Sequence, residues 1–257
     1  MTRIVRPHMC FDRIIPHDRK VDAAAISLSE NRKNHPEVPA RLMGVSMHPL
    51  KLALLTGKMW SNARILNISF LDGSVIQRKR VQQHAEIWMH YANIRLIFAK
   101  PSQSDIRISF VADDGSWSYV GTDNLSVPKK EPTMNFGWLR DDTEDKEYHR
   151  VVVHEFGHAL GAIHEHQNPK SGIEWNKPLV YKYFSGPPNN WSRVEIDSNV
   201  LDKYSLSQIN GTKFDRKSIM LYSFPKELIL NGPATHENTQ LSQGDKTFIA
   251  KAYSKGL

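Results

Sequence analysis

Between His154 and His164 the chain reads His-Glu-Phe-Gly-His-Ala-Leu-Gly-Ala-Ile-His, and no other stretch restricts its fold and chemistry so tightly. On a helix His154 and His158 stand one turn apart on one face, so both rings can reach a single metal ion. Glu155 lies beside the first of them, where a carboxylate can take a proton from water at that ion. Gly161, lacking a Cβ, can adopt the positive φ that ends a helix and turns the chain back, bringing His164 in as a third ligand. Three protein ligands with one position left open is the pattern of catalytic rather than structural zinc. An ordinary amphipathic helix would also bury Val153, Phe156, Gly157 and Leu160, but it does not require five specified positions at fixed spacing. The string specifies a helix, a glycine break, Zn2+ on His154, His158 and His164, and Glu155 as the general base of a hydrolase.

The 257 residues suffice for one large domain or two small ones, with enough apolar content for a core. No apolar run approaches the roughly 20 residues of a membrane-spanning helix. The longest, Leu50 to Leu55, is broken by Lys51 and followed by Gly57. Arg3, Arg6 and Pro7 interrupt the amino terminus, so no signal peptide is recognisable and the reading is of a soluble protein of unassigned compartment. Cys10 is the single cysteine, which excludes an intramolecular disulfide and leaves stability to the core and the metal. Much of the net charge of +7 falls between Met1 and Lys58, which hold ten basic and five acidic residues. Without a block of like charge or aromatics interleaved with arginines, this basic arm argues against a nucleic-acid partner.

Along the chain, residues 1–57 read as an extension, a pro-segment or a disordered arm, and 58–257 as the catalytic domain. Leu66, Ile68 and Phe70 alternate with polar residues up to Asp72-Gly73, which predicts the first core strand. Val81, Ala85, Trp88 and Ala92 recur at helical spacing and predict an amphipathic helix over Val75 to Ala92. Alternation returns at Ile94-Leu96-Phe98, Ile106-Ile108-Phe110, Trp117 to Gly121 and Met134-Phe136-Trp138. The order strand, helix, then strands indicates an α+β fold, a mixed sheet with a helix packed on it. Beyond His166 the breakers Asn168-Pro169, Ser171-Gly172 and Gly186-Pro187-Pro188 predict a loop-rich half. Ser242 with Asp245 forms a capping-box pattern that opens a final helix running to Tyr253.

With Ser218-Ile219-Met220-Leu221-Tyr222 added to the zinc string, the chain resembles the metzincin clan of zinc metalloproteases, and within it the astacin-like branch. The resemblance implies a zincin fold: a twisted mixed sheet with a backing helix and an active-site helix in an upper part (58–161), and a loop-rich lower part (162–257) ending in a helix. It implies that Met220 lies in a tight turn beneath the metal, that Tyr222 stands near it and stabilises the developing oxyanion, and that Trp117-Ser118-Tyr119-Val120-Gly121 is the rim strand on which an extended substrate lies. Glu165, next to the third histidine, also matches the branch and there contacts a processed amino terminus. Astacins carry two disulfides and follow this glutamate with an arginine-containing stretch. Here no disulfide can form and His166-Gln167-Asn168-Pro169 follows, so the resemblance is to a cysteine-poor, microbial-type relative.

The expected function is zinc-dependent endopeptidase action on protein or peptide substrates. The rivals are a catalytically inactive zinc protein that binds peptides or partners, a hydrolase of non-peptide amides, and a basic-arm binder of anionic surfaces; Glu155 argues against the first. Met220 can instead be a core gap-filler, Tyr222 a packed tyrosine, and His166 a ligand in place of His164. Trp175, Tyr183 and Trp191 are read as core rather than cleft, and His149 as surface. Cys10 as thiolate or Asp12 as carboxylate could cap the zinc, as pro-segments of this clan do. Without a surrounding pro-segment motif, both are read as tail residues.

Overall fold

The computed structural model describes residues 9–35, 57–99, 104–204 and 213–256. The apolar run from Leu50 to Leu55 lies outside them. One six-stranded mixed sheet contains β1 (Phe11–Arg13), β2 (Ile65–Phe70), β3 (Arg95–Phe98), β4 (Ile106–Ser109), β5 (Ser116–Tyr119) and β6 (Met134–Phe136), in the order β1-β5-β6-β4-β2-β3. All neighbours are parallel except β5 and β6. The alternation read from the sequence is the one that packs: Leu66, Ile68, Ile106, Ile108, Met134 and Phe136 are buried in the main core.

Two helices carry that core. α2 (Val75–Ala85) opens with a capping box in which Ser74 and Gln77 satisfy each other's backbone donors, and it places Val81 and Ala85 inside. The expected helix to Ala92 stops short: from Glu86 to His90 it tightens into a 3-10 turn, where the buried indole of Trp88 donates to the Val153 carbonyl at 3.0 Å. α3 (Asp145–Ala159) bears the zinc string. From Arg150 to Ala159 all of its residues are buried, so His154, Glu155 and His158 are held away from bulk water.

Residues 9–35 pack against this frame. α1 (Lys20–Glu30) packs on the 3-10 segment Gly121–Ser126, with Ala23 buried against Ile15 and Val127 and polar contacts beside it. Ser27 donates to the Gly57 carbonyl at 2.7 Å and accepts from Thr122 at 2.8 Å. Asn34 bonds both the amide and the carbonyl of Met59, at 2.9 and 2.7 Å.

The half beyond His166 is more helical than its breakers suggest. α4 (Lys177–Phe184) starts with Pro178 in its first turn, and α5 (Arg193–Ile196) has a Ser192–Glu195 capping box. α5 is a single turn and α4 spans only two turns between breakers, so pattern reading passes over them. With Trp175, Trp191, Tyr222 and Phe224 they build a second core, which also takes in Met9. The expected closing helix is α6 (Gln243–Ala252), capped by Ser242 and Asp245. No helix among the described residues is long and apolar enough to cross a membrane.

α6 also fixes the turn at Ser218 to Leu221. The Asp245 carboxylate accepts from Ser218 Oγ at 2.6 Å and from the amides of Ile219 and Ser242, each at 2.9 Å. Met220 in that turn presses on α3, where a Cβ on Gly157 would stand 2.5 Å from its Sδ. Asp245→Ala leaves three donors without this acceptor and should cost on the order of 2–4 kcal/mol in urea denaturation. Gly157→Ala gains roughly 1 kcal/mol of helix propensity but overpacks at a cost of about 1–3 kcal/mol. A net fall in melting temperature is expected, and an unchanged or raised value would show that Met220 is free to move.

Candidate metal centre

After His158 the helix ends as the sequence requires. Gly161 takes φ +96°, its amide bonds the His158 carbonyl at 2.8 Å, and Ala162 closes back on Gly157 at 2.9 Å. The reversal brings His164 onto the two helical histidines. The three Nε2 atoms converge, with 3.0 Å between His154 and His158, 3.1 Å between His158 and His164, and 3.3 Å between His154 and His164.

What lies behind the rings sets their tautomers. His154 Nδ1 faces the Ile219 carbonyl at 2.8 Å and His158 Nδ1 the Ala162 carbonyl at 2.9 Å. Each Nδ1 is therefore the N–H donor, and each Nε2 points a lone pair at the centre. Burial holds His158 at about 4, His164 at about 3 and His154 well below the ordinary histidine value, so all three rings are neutral near pH 7. Two lone pairs 3.0 Å apart repel unless a cation lies between them. The donor set fits a metal ion, and the three histidines are so disposed that they could hold one.

Glu155 is fully buried beside this centre, and the Cys10 thiol lies against its carboxylate. Burial pushes its pKa well above the usual carboxylate value. The Ser218 to Leu221 turn touches both ends of the string: Ile219 orients His154, and the Met220 carbonyl accepts from the Glu165 amide at 3.0 Å. Tyr222 follows, its ring centroid 4.1 Å from that of His164. Glu165 accepts from the amide of Asp215 at 2.9 Å and from Asn168 at 3.2 Å, and burial raises it to about 7.

Several expectations need correction. Cys10 and Asp12 are not tail residues. Cys10 is 2% exposed and its sulfur clusters with His154 and Glu155. Asp12 is 7% exposed, with carboxylate oxygens 3.1 Å from His158 Nδ1 and 3.4 Å from His164 Nδ1. The first of these contacts lies off the hydrogen-bond direction, because that Nδ1 faces Ala162. Residues 10 and 12 of an extended chain share one face, but two positions are too few to read as a period. Their strand, β1, pairs in parallel with β5, Phe11 opposite Trp117 and Arg13 opposite Tyr119. The rim strand Trp117 to Tyr119 is thus covered by the chain's own leading segment. His149 is half-buried rather than on the surface, its ring edge-on to His84. His166 turns away from the centre and bonds the Asn199 carbonyl at 2.8 Å. Trp175 and Trp191 are buried in the second core, with Tyr183 packed against it.

The leading strand spans the cleft from wall to wall. On the sheet side Arg13 bonds both oxygens of Asp114 at 3.0 Å and stacks over the Trp117 ring at 4.0 Å. On the opposite side the Asp12 amide donates to Asn199 Oδ1 at 2.9 Å, and the Tyr222 hydroxyl donates to the Cys10 carbonyl.

Residues 55–172 match the family model of the astacin peptidases. A solved structure of myroilysin is 44% identical, over 78% of this chain and 97% of that one, with a TM-score of 0.75. A second myroilysin structure is 43% identical over 77% and 86% of the two chains, with a TM-score of 0.61. Matrix metalloproteinase-2 of Drosophila melanogaster is 25% identical over 181 residues, which are 62% of this chain and 22% of that protein. The chain therefore spans about a fifth of the length of that curated relative. The zinc string, the mixed sheet and the identity across nearly all of a myroilysin chain together show that this chain belongs to the astacin family of metzincin peptidases.

Proposed function

We propose that this protein is a zinc-dependent endopeptidase whose leading segment keeps it latent. The observation that carries the reading is the convergence of three neutral imidazole lone pairs beside a buried carboxylate. His154, His158 and His164 would hold the zinc. When bound, it supplies Lewis acidity that lowers the pKa of water from 15.7 to about 7 and polarises a carbonyl.

Glu155 is the base. It takes the proton from the attacking water and returns it to the departing amine. The Tyr222 hydroxyl steadies the negative charge growing on the substrate carbonyl. Its bond to a main-chain carbonyl of the leader supports this role, because a peptide oxygen already sits within its reach.

Peptide substrates are favoured over small amides because the β5 edge already accepts an extended segment by main-chain pairing. That segment also accounts for latency. β1 fills the strand-binding edge, Cys10 stands against Glu155 and His154, and Asp12 stands against His158 and His164. Substrate cannot enter until β1 leaves.

In protein activated by removal of the leader, Glu155→Gln should lower turnover at least about a hundredfold while zinc, measured by atomic absorption, stays stoichiometric. A Glu155→Gln enzyme that still cleaves a denatured protein at the wild-type rate would sink the assignment. In the full chain, Cys10→Ala with Asp12→Ala should raise cleavage about tenfold or more, as expected if at least about 1.4 kcal/mol of the leader's hold is lost. Equal activity before and after leader removal would show that β1 is not the block.

A further inference from the structure

Arg150 lies one helical turn before His154, on the same face of α3, and is 9% exposed. Its Nε and Nη2 donate to the two oxygens of Glu147 at 2.8 and 2.7 Å. Glu147 is itself fixed by the indole of Trp138 at 2.9 Å. A second carboxylate, Glu237, approaches Nε at 3.2 Å and is half-exposed. The two N–H groups on Nη1 make no hydrogen bond among the described residues.

This side chain forms part of the wall of a pocket that also takes in His154, Tyr222 and Ser223, and leader residues Met9 and Cys10 help to line it. Cys10 lies against His154 and Glu155, where the reacting bond of a substrate would lie. The pocket that Met9 lines therefore belongs to a side chain adjoining that bond.

Resting on the endopeptidase reading, we propose that Arg150 and Glu237 make this a specificity pocket for an uncharged carboxamide side chain, glutamine or asparagine, next to the scissile bond. A guanidinium between two carboxylates leaves the trio with a net charge of −1, so a third carboxylate is repelled. An apolar side chain would strip water from the Nη1 donors and offer no acceptor, which a buried polar group does not tolerate cheaply. A carboxamide answers both walls: its oxygen accepts from Nη1 and its NH2 donates to Glu237. Arg150 cannot be explained as helix packing alone, since its bonds to Glu147 occupy only Nε and Nη2.

The test uses enzyme activated by leader removal. Cleavage of a peptide library, with the products sequenced by mass spectrometry, identifies the selective position. kcat/KM is then measured for three matched peptides with Gln, Glu or Leu there. The wild type should prefer Gln over both on the order of tenfold. Arg150→Met should erase the preference for Gln over Leu, and Glu237→Gln should relieve the rejection of Glu. If Arg150→Met does not fold, Arg150→Lys keeps the charge but loses the fork, and should also lose the preference over Leu. An unchanged Gln-to-Leu ratio in either variant, or equal slowing of all three peptides, would overturn the proposal while leaving the endopeptidase reading intact. Failure of the wild type to cut any peptide, with zinc stoichiometric, would overturn that reading and this proposal with it.

Discussion

Two imidazole nitrogens with their lone pairs turned toward each other at 3.0 Å are an arrangement that protein alone does not stabilise. The rest of the fold is organised to impose it. The Ile219 and Ala162 carbonyls hold the outer nitrogens of His154 and His158 as donors, and so commit the inner ones to being acceptors. Gly161 supplies the reversal that delivers His164. Asp245 holds the turn that carries Ile219, and Met220 in the same turn leaves no room for a side chain at position 157. Each of these contacts has its consequence at the centre, where the cost of crowding three acceptors is recovered only by a cation.

The leading strand meets the same centre from the open side. Parallel pairing is slightly weaker per residue than antiparallel pairing, and β1 contributes only three residues to it. What secures it is lateral: Arg13 on Asp114 and Trp117, Asp12 on Asn199, and farther along the polar cluster of Ser27, Asn34 and Thr122 around Met59. These polar contacts fix the register, while Met9, Cys10, Phe11, Ile15 and Ala23 bury apolar surface in three hydrophobic clusters, so release of the segment exposes that surface to water.

The zinc string was legible because its chemistry is local. Eleven residues contain the three histidines, the proposed base and the glycine, and helical geometry alone brings two of the histidines together. The strands were legible because Leu66, Ile68, Ile106 and Ile108 alternate as a half-buried sheet demands. Cys10 and Asp12 were not, because their meaning depends on Trp117 and His158, more than a hundred residues away, and two residues of alternation carry no period. α4 and α5 were hidden by the breakers around them. Arg150 was in plain view on the motif helix, yet only Glu147, Glu237 and the pocket wall distinguish it from a solvent-facing arginine.

The three histidines are close in sequence and His158 is set by the nearby Ala162 carbonyl, but what orients His154 comes from beyond position 218. A ribosome that has released His164 has produced all three imidazoles and none of the Ile219 carbonyl or Asp245 that set His154. Until that final segment emerges, the nascent chain has histidines that can coordinate metal loosely in other geometries. A chain interrupted before position 219 would therefore carry the recognisable string without the carbonyl that turns His154.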